Sequence, residues 1–274
     1  MRCVARYRVL SSVHEAFRPP GVRYWPITVT SLIHSRGLPA AVVAIGFALI
    51  ARAMGAVTDG GAMAGVLVAF VLMLAAGVSG FVPLATVFLL TAITTRWGYT
   101  RKQSLGVAER RRGRTASQIL ANLCAVVLCA LPAIWFPQFS EVLLLAAMAA
   151  LAEAAADTVS SEVGQATATS AYMITDFCPA AIGTNGAISV EGTLSGCIAA
   201  SIVGWVSAFF WIVPWRWSPI VAIAGVAGMF LDSVLGATCE NAGKMGNDSV
   251  NFVSTVLAAD LALVTVMVID RISS

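Results

Sequence analysis

An uncharged stretch of 34 residues, from Ala62 to Thr95, places the strongest constraint on how this chain can fold. As a single helix it would be about 51 Å long, whereas the hydrocarbon core of a bilayer is about 30 Å thick. Gly77-Val78-Ser79-Gly80 and Pro83 interrupt it near the middle, which favours two spans joined by a tight turn. Only 11% of all residues are charged, against about a quarter in average globular proteins. We therefore predict an all-α polytopic integral membrane protein.

Other apolar stretches bring the predicted number of spans to eight, and seven stays open because the first three are short or carry Arg52 near an end. The predicted bounds are 39–55, 62–77, 81–96, 116–136, 142–160, 192–213, 217–238 and 250–270. We expect residues 38–274 to form a single transmembrane domain, preceded by an Arg-rich N-terminal tail at residues 1–37. The tail lacks the apolar segment of a secretory signal peptide, so we expect none. No nucleic-acid partner is expected.

Basic residues predict the orientation of the spans. The loop after the third predicted span carries seven of them within 19 positions: Arg96, Arg101, Lys102, Arg110, Arg111, Arg112 and Arg114. Such loops face the cytoplasm, so we expect a multi-pass protein of the cell inner (cytoplasmic) membrane with its active face on the cytoplasmic side. An odd number of preceding spans would then place the tail, with its six arginines, outside. Either one of those spans is not a crossing, or the tail holds a membrane-surface segment.

Polar residues at membrane depth or at its edge are costly and mark functional sites, and four clusters of them stand out. The first contains Lys102 and continues through Arg114, Gln118 and Asn122 into the fourth predicted span. The last three are spaced i, i+4, i+8, so they share one face of a helix. Donors at a helix N-terminus suit an anionic ligand. Positive-inside anchoring is the simpler interpretation of Arg110, Arg111 and Arg112, but it does not explain why polar residues continue two turns into the span.

The second cluster is acidic and ends the fifth predicted span. Glu153 and Asp157 are four residues apart on one face, and Glu162 follows within ten residues of the first. Three carboxylates without nearby bases are typical of a site for Mg²⁺, which prefers oxygen ligands. A solvated helix end is the alternative, above all for Glu162.

The third cluster is a glycine-rich loop, Gly183-Thr184-Asn185-Gly186, followed by Ser189. Such a loop can present backbone N–H groups to phosphate oxygens, or it can simply connect two spans.

The fourth cluster has two parts. Asp232, Gly236 and Glu240 are spaced i, i+4, i+8, and Asp248 and Asn251 lie one turn apart where the last span begins. Asp232 is the sharpest signal, because it follows fifteen uncharged residues in a row.

All four clusters fall on the same predicted membrane face, where acids from three spans meet bases from a fourth. This combination favours metal-bridged phosphoryl or nucleotidyl transfer to a lipid-borne substrate. An ion-coupled transporter also needs intramembrane acids, but its site is expected near mid-membrane rather than at span ends. The chain lacks a P-loop G-x-x-x-x-G-K-[ST], which argues against a soluble-type NTPase.

At these clusters the sequence resembles the phytyl-phosphate kinase family, whose relatives include transmembrane protein 19. Five motifs follow one another in the family's order: RKQSLGVAERRRGRTASQILAN, AAADTVSSEVG, GTNGAISVEGT, DSVLGATCE and NDSVNF. The resemblance runs from about Thr58 to the end of the chain. It implies a prenyl-phosphate kinase that transfers a phosphoryl group from a nucleoside triphosphate, with CTP as the expected donor. The acceptor would be phytyl, geranylgeranyl or farnesyl monophosphate, and Mg²⁺ the cofactor.

The family is distantly similar to dolichol kinases and phosphatidate cytidylyltransferases, and this likeness implies roles for individual residues. The implied metal ligands are Asp157, Glu162, Asp232 and Asp248, and three of these, Asp157, Asp232 and Asp248, are the implied catalytic residues. The implied substrate and phosphate contacts are Lys102, Arg114, Gln118, Asn122, Gly183, Thr184, Asn185, Gly186, Ser189 and Asn251. The alternatives are a lipid-phosphate cytidylyltransferase and a non-enzymatic transporter of a prenyl phosphate or lipid.

The chain departs from the family pattern before the glycine-rich loop. Tyr172 and Asp176 occupy a stretch in which members carry basic residues, so no phosphate contact is expected from this segment. Elsewhere, the small residues of Gly225-Val226-Ala227-Gly228 permit close helix packing within one chain or between two, which leaves a homodimer open.

Overall fold

The computed structural model describes residues 29–108 and 113–273. Residues 1–28 of the predicted tail, and Arg110, Arg111 and Arg112 of the predicted cytoplasmic loop, lie outside the described residues.

The described residues form nine α-helices and a small sheet. The helices are α1 (Val29–Ala53), α2 (Asp59–Ala76), α3 (Val78–Arg96), α4 (Tyr99–Ser104), α5 (Ala116–Trp135), α6 (Ser140–Thr167), α7 (Val190–Phe209), α8 (Ser218–Leu235) and α9 (Asn247–Ser273). The strands are β1 (Ala171–Met173), β2 (Pro179–Ala180) and β3 (Ala187–Ile188), with β1 in the middle and antiparallel to both neighbours. Short 3₁₀ turns precede α6 and α8, and a π-helical turn, Gly236–Glu240, extends α8.

Eight helical segments of the described chain are long and apolar enough to cross a membrane, which confirms the predicted all-α polytopic architecture and the count of eight. The turn predicted inside the longest apolar stretch is also confirmed. Gly77 separates α2 from α3 with a φ of 69°, a value that favours glycine. The first helix, however, begins before the predicted domain boundary at residue 38. Arg36 lies within α1 and donates hydrogen bonds to the carbonyls of Leu74 and Ala75 at 3.2 and 3.4 Å.

Helix α6 is the central element of the bundle. In its apolar stretch 89% of the residues are buried, against 22–44% for the other spans. Its many alanines allow neighbouring helices to approach closely. A Cβ added at Gly225 of α8, for example, would lie 2.8 Å from the Cβ of Ala152. Helices α5, α7, α8 and α9 all pack against α6, so residues near its end contact several elements at once.

The alternation of spans places residues 54–58, 97–108, 113–115, 168–189 and 236–246, which lie between spans, at one end of the bundle, called here the polar end. Side-chain caps fix the helices that begin there. The Thr58 hydroxyl accepts from the N–H of Gly61 at the start of α2, and Ser189 accepts from Gly192 at the start of α7. Thr115 and Gln118 form a capping box at the start of α5.

Candidate functional site

A polar cavity of about 340 Å³, called here the polar pocket, lies at the polar end between α5, α6, α8, α9 and the glycine-rich loop. It brings together residues from all four sequence clusters. Twelve residues with predicted roles line it: Arg114, Gln118, Asn122, Asp157, Glu162, Gly183, Thr184, Asn185, Gly186, Ser189, Asp232 and Asn251. Two predicted residues, Lys102 and Asp248, do not.

Two carboxylates from different helices line the polar pocket. Asp157 on α6 and Asp232 on α8 are both half-buried, and they are close enough for their charges to interact. Oδ2 of Asp232 accepts a hydrogen bond from the Ser254 hydroxyl at 3.2 Å. Burial weakens the screening of such charges by water, so a cation bound between them would be held strongly.

A chain of amides orients the Asp232 carboxylate. In the amide orientation that satisfies its neighbours, Asn251 donates to Asp232 Oδ2 at 3.1 Å and accepts from Nδ2 of Asn122 at 3.1 Å. Asn122 also donates to the carbonyl of Gln118 at 2.9 Å. Three predicted residues on α5, α8 and α9 thus form one hydrogen-bonded network.

Arg114 supplies positive charge at the edge of the polar pocket, within electrostatic reach of Asp157. Its backbone is fixed on both sides by a parallel bridge to Val57. The Arg114 N–H donates to the carbonyl of Ala56 at 3.0 Å, and its own carbonyl accepts from the N–H of Thr58 at 3.0 Å. The loop between α1 and α2 therefore positions this arginine.

The glycine-rich loop packs directly on the π-helical turn. Gly183 and Gly186 adopt φ values of 87° and 79°, and a Cβ at Gly186 would lie 2.5 Å from the Ala237 N and Cβ atoms. Asn241 donates from Nδ2 to the carbonyl of Asn185 at 3.0 Å. The N–H of Thr184 is used by the carbonyl of Ala181 within the turn. Glycine is required here for both backbone conformation and close approach.

Lys102 and Glu162 form a buried ion pair. Nζ of Lys102 lies 2.5 Å from Oε2 of Glu162 and also donates to the carbonyls of Thr94 and Thr95 at 2.9 and 2.8 Å. These contacts use all three hydrogens of the ammonium group. The other Glu162 oxygen, Oε1, accepts from the Thr95 hydroxyl at 3.0 Å. The pair joins α4 to α3 and α6, and Lys102 stays away from the polar pocket.

Asp248 occupies the first turn of α9, where a carboxylate stabilises the helix dipole. Its neighbours Asn247 and Asn251 line the polar pocket in its place. Glu240, which belonged to a noted motif but had no assigned role, also lines it. Its i, i+4, i+8 spacing with Asp232 and Gly236 predicted a shared face, and all three residues line the polar pocket.

Glu153 lies one turn before Asp157 on α6 and is 1% exposed. Neither of its carboxylate oxygens has a hydrogen-bond partner, and it lies within electrostatic reach of Asp157 and Asp232. Ser254 is nearby, but its single hydroxyl proton is engaged by Asp232 and Asn251. In the sequence, Glu153 stands out because it lies four residues before Asp157 on an alanine-rich helix.

Three of the four predicted metal ligands, Asp157, Glu162 and Asp232, line the polar pocket, and Asp248 does not. Among residues 29–108 and 113–273, no three side chains of His, Cys, Asp or Glu cluster as a metal site. Mg²⁺, however, often keeps several waters and is held by one or two carboxylates together with substrate phosphates. Asp157 and Asp232, which both line the polar pocket, fit that arrangement.

A second, apolar cavity of about 440 Å³ lies beside the polar pocket, between α1, α2, α3 and α5. Arg114 and Asn122 line both cavities. An apolar space and an acidic, amide-rich pocket therefore meet at one arginine, which suits a ligand with an apolar body and an anionic head.

In the segment that departs from the family pattern, Ala171 lines the polar pocket, but the two divergent residues do not. Tyr172 and Asp176 are exposed and line neither cavity. Asp176 accepts from the N–H of Cys178 at 2.9 Å, and its negative charge raises the pKa of the Cys178 thiol.

Comparison with known proteins assigns the chain to a family. The model of the family described as Integral membrane protein DUF92 matches residues 42–259. The chain belongs to this family. The resemblance inferred from the five motifs is thereby confirmed.

Three relatives give the extent of this similarity. An uncharacterized membrane protein of Synechocystis sp. is 31% identical over 69% of this chain and 74% of its own length. An uncharacterized membrane protein of Methanocaldococcus jannaschii is 30% identical over 69% of this chain and 76% of its own. Protein VTE6, chloroplastic, of Arabidopsis thaliana is 29% identical over 68% of this chain but 58% of its own length. No solved structure matches the chain.

Proposed function

We propose that this protein is a prenyl-phosphate kinase, which transfers a phosphoryl group from a nucleoside triphosphate, with CTP the expected donor, to a prenyl monophosphate. The observation that carries the proposal is the meeting of the apolar cavity and the polar pocket at Arg114 and Asn122. The similarity to Protein VTE6, chloroplastic, supports a function related to prenyl phosphates in membranes.

In this proposal Arg114 holds the acceptor phosphate. That group is already an anionic monoester, so the reaction depends on positioning and charge neutralisation more than on a general base. Arginine suits the role, because its planar guanidinium can donate two parallel hydrogen bonds to a phosphate.

Asp157 and Asp232 would hold Mg²⁺ that enters with the nucleotide and neutralises the charge of its phosphates. Ser254 and Asn251 keep Asp232 in one orientation through hydrogen bonds of 3.2 and 3.1 Å. The glycine-rich loop closes the opposite wall and presents short backbone segments to the nucleotide phosphates.

The basic residues beside the polar pocket support the proposed orientation. Arg96, Arg101 and Arg114 all lie at the polar end, so by the positive-inside rule that end would face the cytoplasm at the cell inner membrane. Nucleotide would then reach the pocket from the cytoplasm. The position of the acids at one end of the bundle, away from its midplane, favours an enzyme over a transporter.

The decisive experiment is a product assay on purified protein in detergent. It supplies Mg²⁺, CTP or ATP, and farnesyl, geranylgeranyl or phytyl monophosphate, and it resolves the products by mass. Formation of prenyl diphosphate with release of nucleoside diphosphate would support the kinase. Release of pyrophosphate with a nucleotidyl-prenyl product would show cytidylyl transfer instead. No turnover with any pair, in protein that remains folded, would contradict both.

A further inference from the structure

The apolar cavity has a wall of small and aromatic residues. The cavity exists because Gly65, Ala48 and Ala62 have small side chains or none. Phe47 and Phe88 form part of its wall, with their rings edge to face and the ring centroids 4.9 Å apart. Its volume of about 440 Å³ falls within the range of roughly 300–1,000 Å³ that is usual for small-molecule sites.

The cavity extends from the polar end toward the middle of the bundle. Arg96 and Arg114 line it at the polar end, whereas Phe47, Gly65 and Leu84 are the lining residues farthest from that end on α1, α2 and α3. The twelve-residue separation of Leu84 and Arg96 corresponds to about 18 Å along α3. The cavity therefore leads from an arginine into the apolar interior.

We propose that this cavity binds the isoprenoid chain of the phosphate substrate, and that Gly65 leaves the room for the far end of the chain. The inference rests on the proposed function and names the part of the molecule that selects the substrate by length. A single apolar cavity with Arg96 and Arg114 at its polar end fits one chain with one phosphate, whereas a diacyl phosphate would need space for two chains.

Gly65 is the position at which the cavity can be filled with least disturbance. A Cβ added there meets no atom within 4 Å. At Gly61, one turn nearer the polar end, a Cβ would lie 2.4 Å from the Arg114 carbonyl oxygen and would displace the arginine itself. Gly46 of α1 is a matched control, because a Cβ there also meets nothing within 4 Å and Gly46 does not line the cavity.

The test measures binding without turnover. Wild-type protein, Gly65→Leu and Gly46→Leu are purified in detergent, and thermal stabilisation is titrated with geranyl, farnesyl and geranylgeranyl monophosphates. The expected result is that Gly65→Leu weakens geranylgeranyl phosphate binding by about tenfold or more while changing geranyl phosphate binding less than threefold. Gly46→Leu should match wild type. Gly65→Ala, which also raises helix propensity, should give a smaller shift in the same direction even if the leucine variant folds poorly.

Several outcomes would overturn the inference. An equal loss for all chain lengths, or no loss for any, would mean that the chain does not extend past Gly65. Tighter binding of lysophosphatidate than of any prenyl phosphate, with the same dependence on Gly65, would assign the cavity to an acyl chain. Wild-type diphosphate formation with chain-length preference unchanged in Gly65→Leu would overturn the cavity assignment and leave the proposed function standing. No binding of any prenyl monophosphate to wild type would contradict both.

Discussion

The two cavities at the polar end differ in how the chain builds them. The polar pocket collects side chains from α5, α6, α8, α9 and the glycine-rich loop, which are far apart in sequence. The apolar cavity lies mainly between the consecutive helices α1, α2 and α3, and glycine and alanine create its space. Converging polar side chains define the polar pocket, whereas small side chains that leave space unfilled define the apolar cavity.

This difference separates two kinds of effect. A change in the polar pocket should alter the chemical step or the binding of phosphates, with little dependence on the apolar part of the substrate. A change in the apolar cavity should alter selectivity among chains and leave the phosphate contacts in place. Arg114 and Asn122 line both cavities, so changes at these residues should alter both phosphate binding and chain selectivity.

The largest expected effect comes from the acids of the polar pocket. Asp157→Asn and Asp232→Asn should each lower turnover by about a thousandfold or more, because a neutral amide cannot hold a cation against polyphosphate. The rate of prenyl diphosphate formation is the measurement, with thermal stability as the check on folding. Asp248→Asn is the matched control and should stay within about threefold of wild type. An equal loss of turnover in all three variants would show that Asp248 matters for the reaction as much as Asp157 and Asp232 do.

The buried ion pair should affect stability more than substrate binding. Lys102→Met leaves Glu162 buried without its partner, which should cost about 3–5 kcal/mol of stability. Thermal unfolding in detergent measures this loss. The double variant Lys102→Met/Glu162→Leu should recover much of it, since no unpaired charge remains. If Lys102→Met instead kept its stability and raised the KM for nucleotide, Lys102 would be a phosphate ligand as the family resemblance implies.

Substitutions of Arg114, which lines both cavities, test whether this residue binds the acceptor phosphate. Arg114→Ala should raise the KM for prenyl monophosphate by about ten- to a hundredfold through loss of a charged, two-point contact. Arg114→Lys should recover part of the loss, because it restores charge without the planar geometry. Unchanged KM values for both substrates in Arg114→Ala would remove this residue from the site.

The smallest expected effect lies outside both cavities, at Cys178. Because Asp176 raises the pKa of this thiol, less thiolate is present near pH 8, and alkylation should be slow. Asp176→Asn removes the negative charge, lowers the thiol pKa and should speed alkylation of Cys178 a few-fold, as measured by peptide mass spectrometry. Kinase turnover should not change in this variant. A drop in turnover would show that the segment contacts substrate after all.

Sequence alone predicts the spans well, because the bilayer forces the chain to satisfy its backbone hydrogen bonds within helices. It also predicts the acids of the polar pocket, since carboxylates such as Asp157 and Asp232 are conspicuous in apolar surroundings. The partner of Lys102 could not be predicted in this way. Glu162 is 60 residues away, and only the packing of α4 against α6 brings the two together.

The apolar cavity was also beyond sequence reasoning. Gly65 and Ala62 look like ordinary residues of an apolar helix, and an unfilled space leaves no pattern in the residues around it. The π-helical turn is a second case. The spacing of Asp232, Gly236 and Glu240 predicts a shared face, and all three line the polar pocket. It does not predict the wider turn at Gly236–Glu240 or the close contact between Ala237 and Gly186.

The parallel bridge between Val57 and Arg114 makes the candidate site depend on the first two helices. The site's arginine takes its backbone partners from the loop of the first helical hairpin, so that hairpin is not an accessory attached to an independent catalytic half. A fragment beginning at α3 would retain Asp157 and Asp232 but lose the support that holds Arg114 beside them. Co-expression of α1 and α2 as a separate piece should therefore be needed to restore its activity.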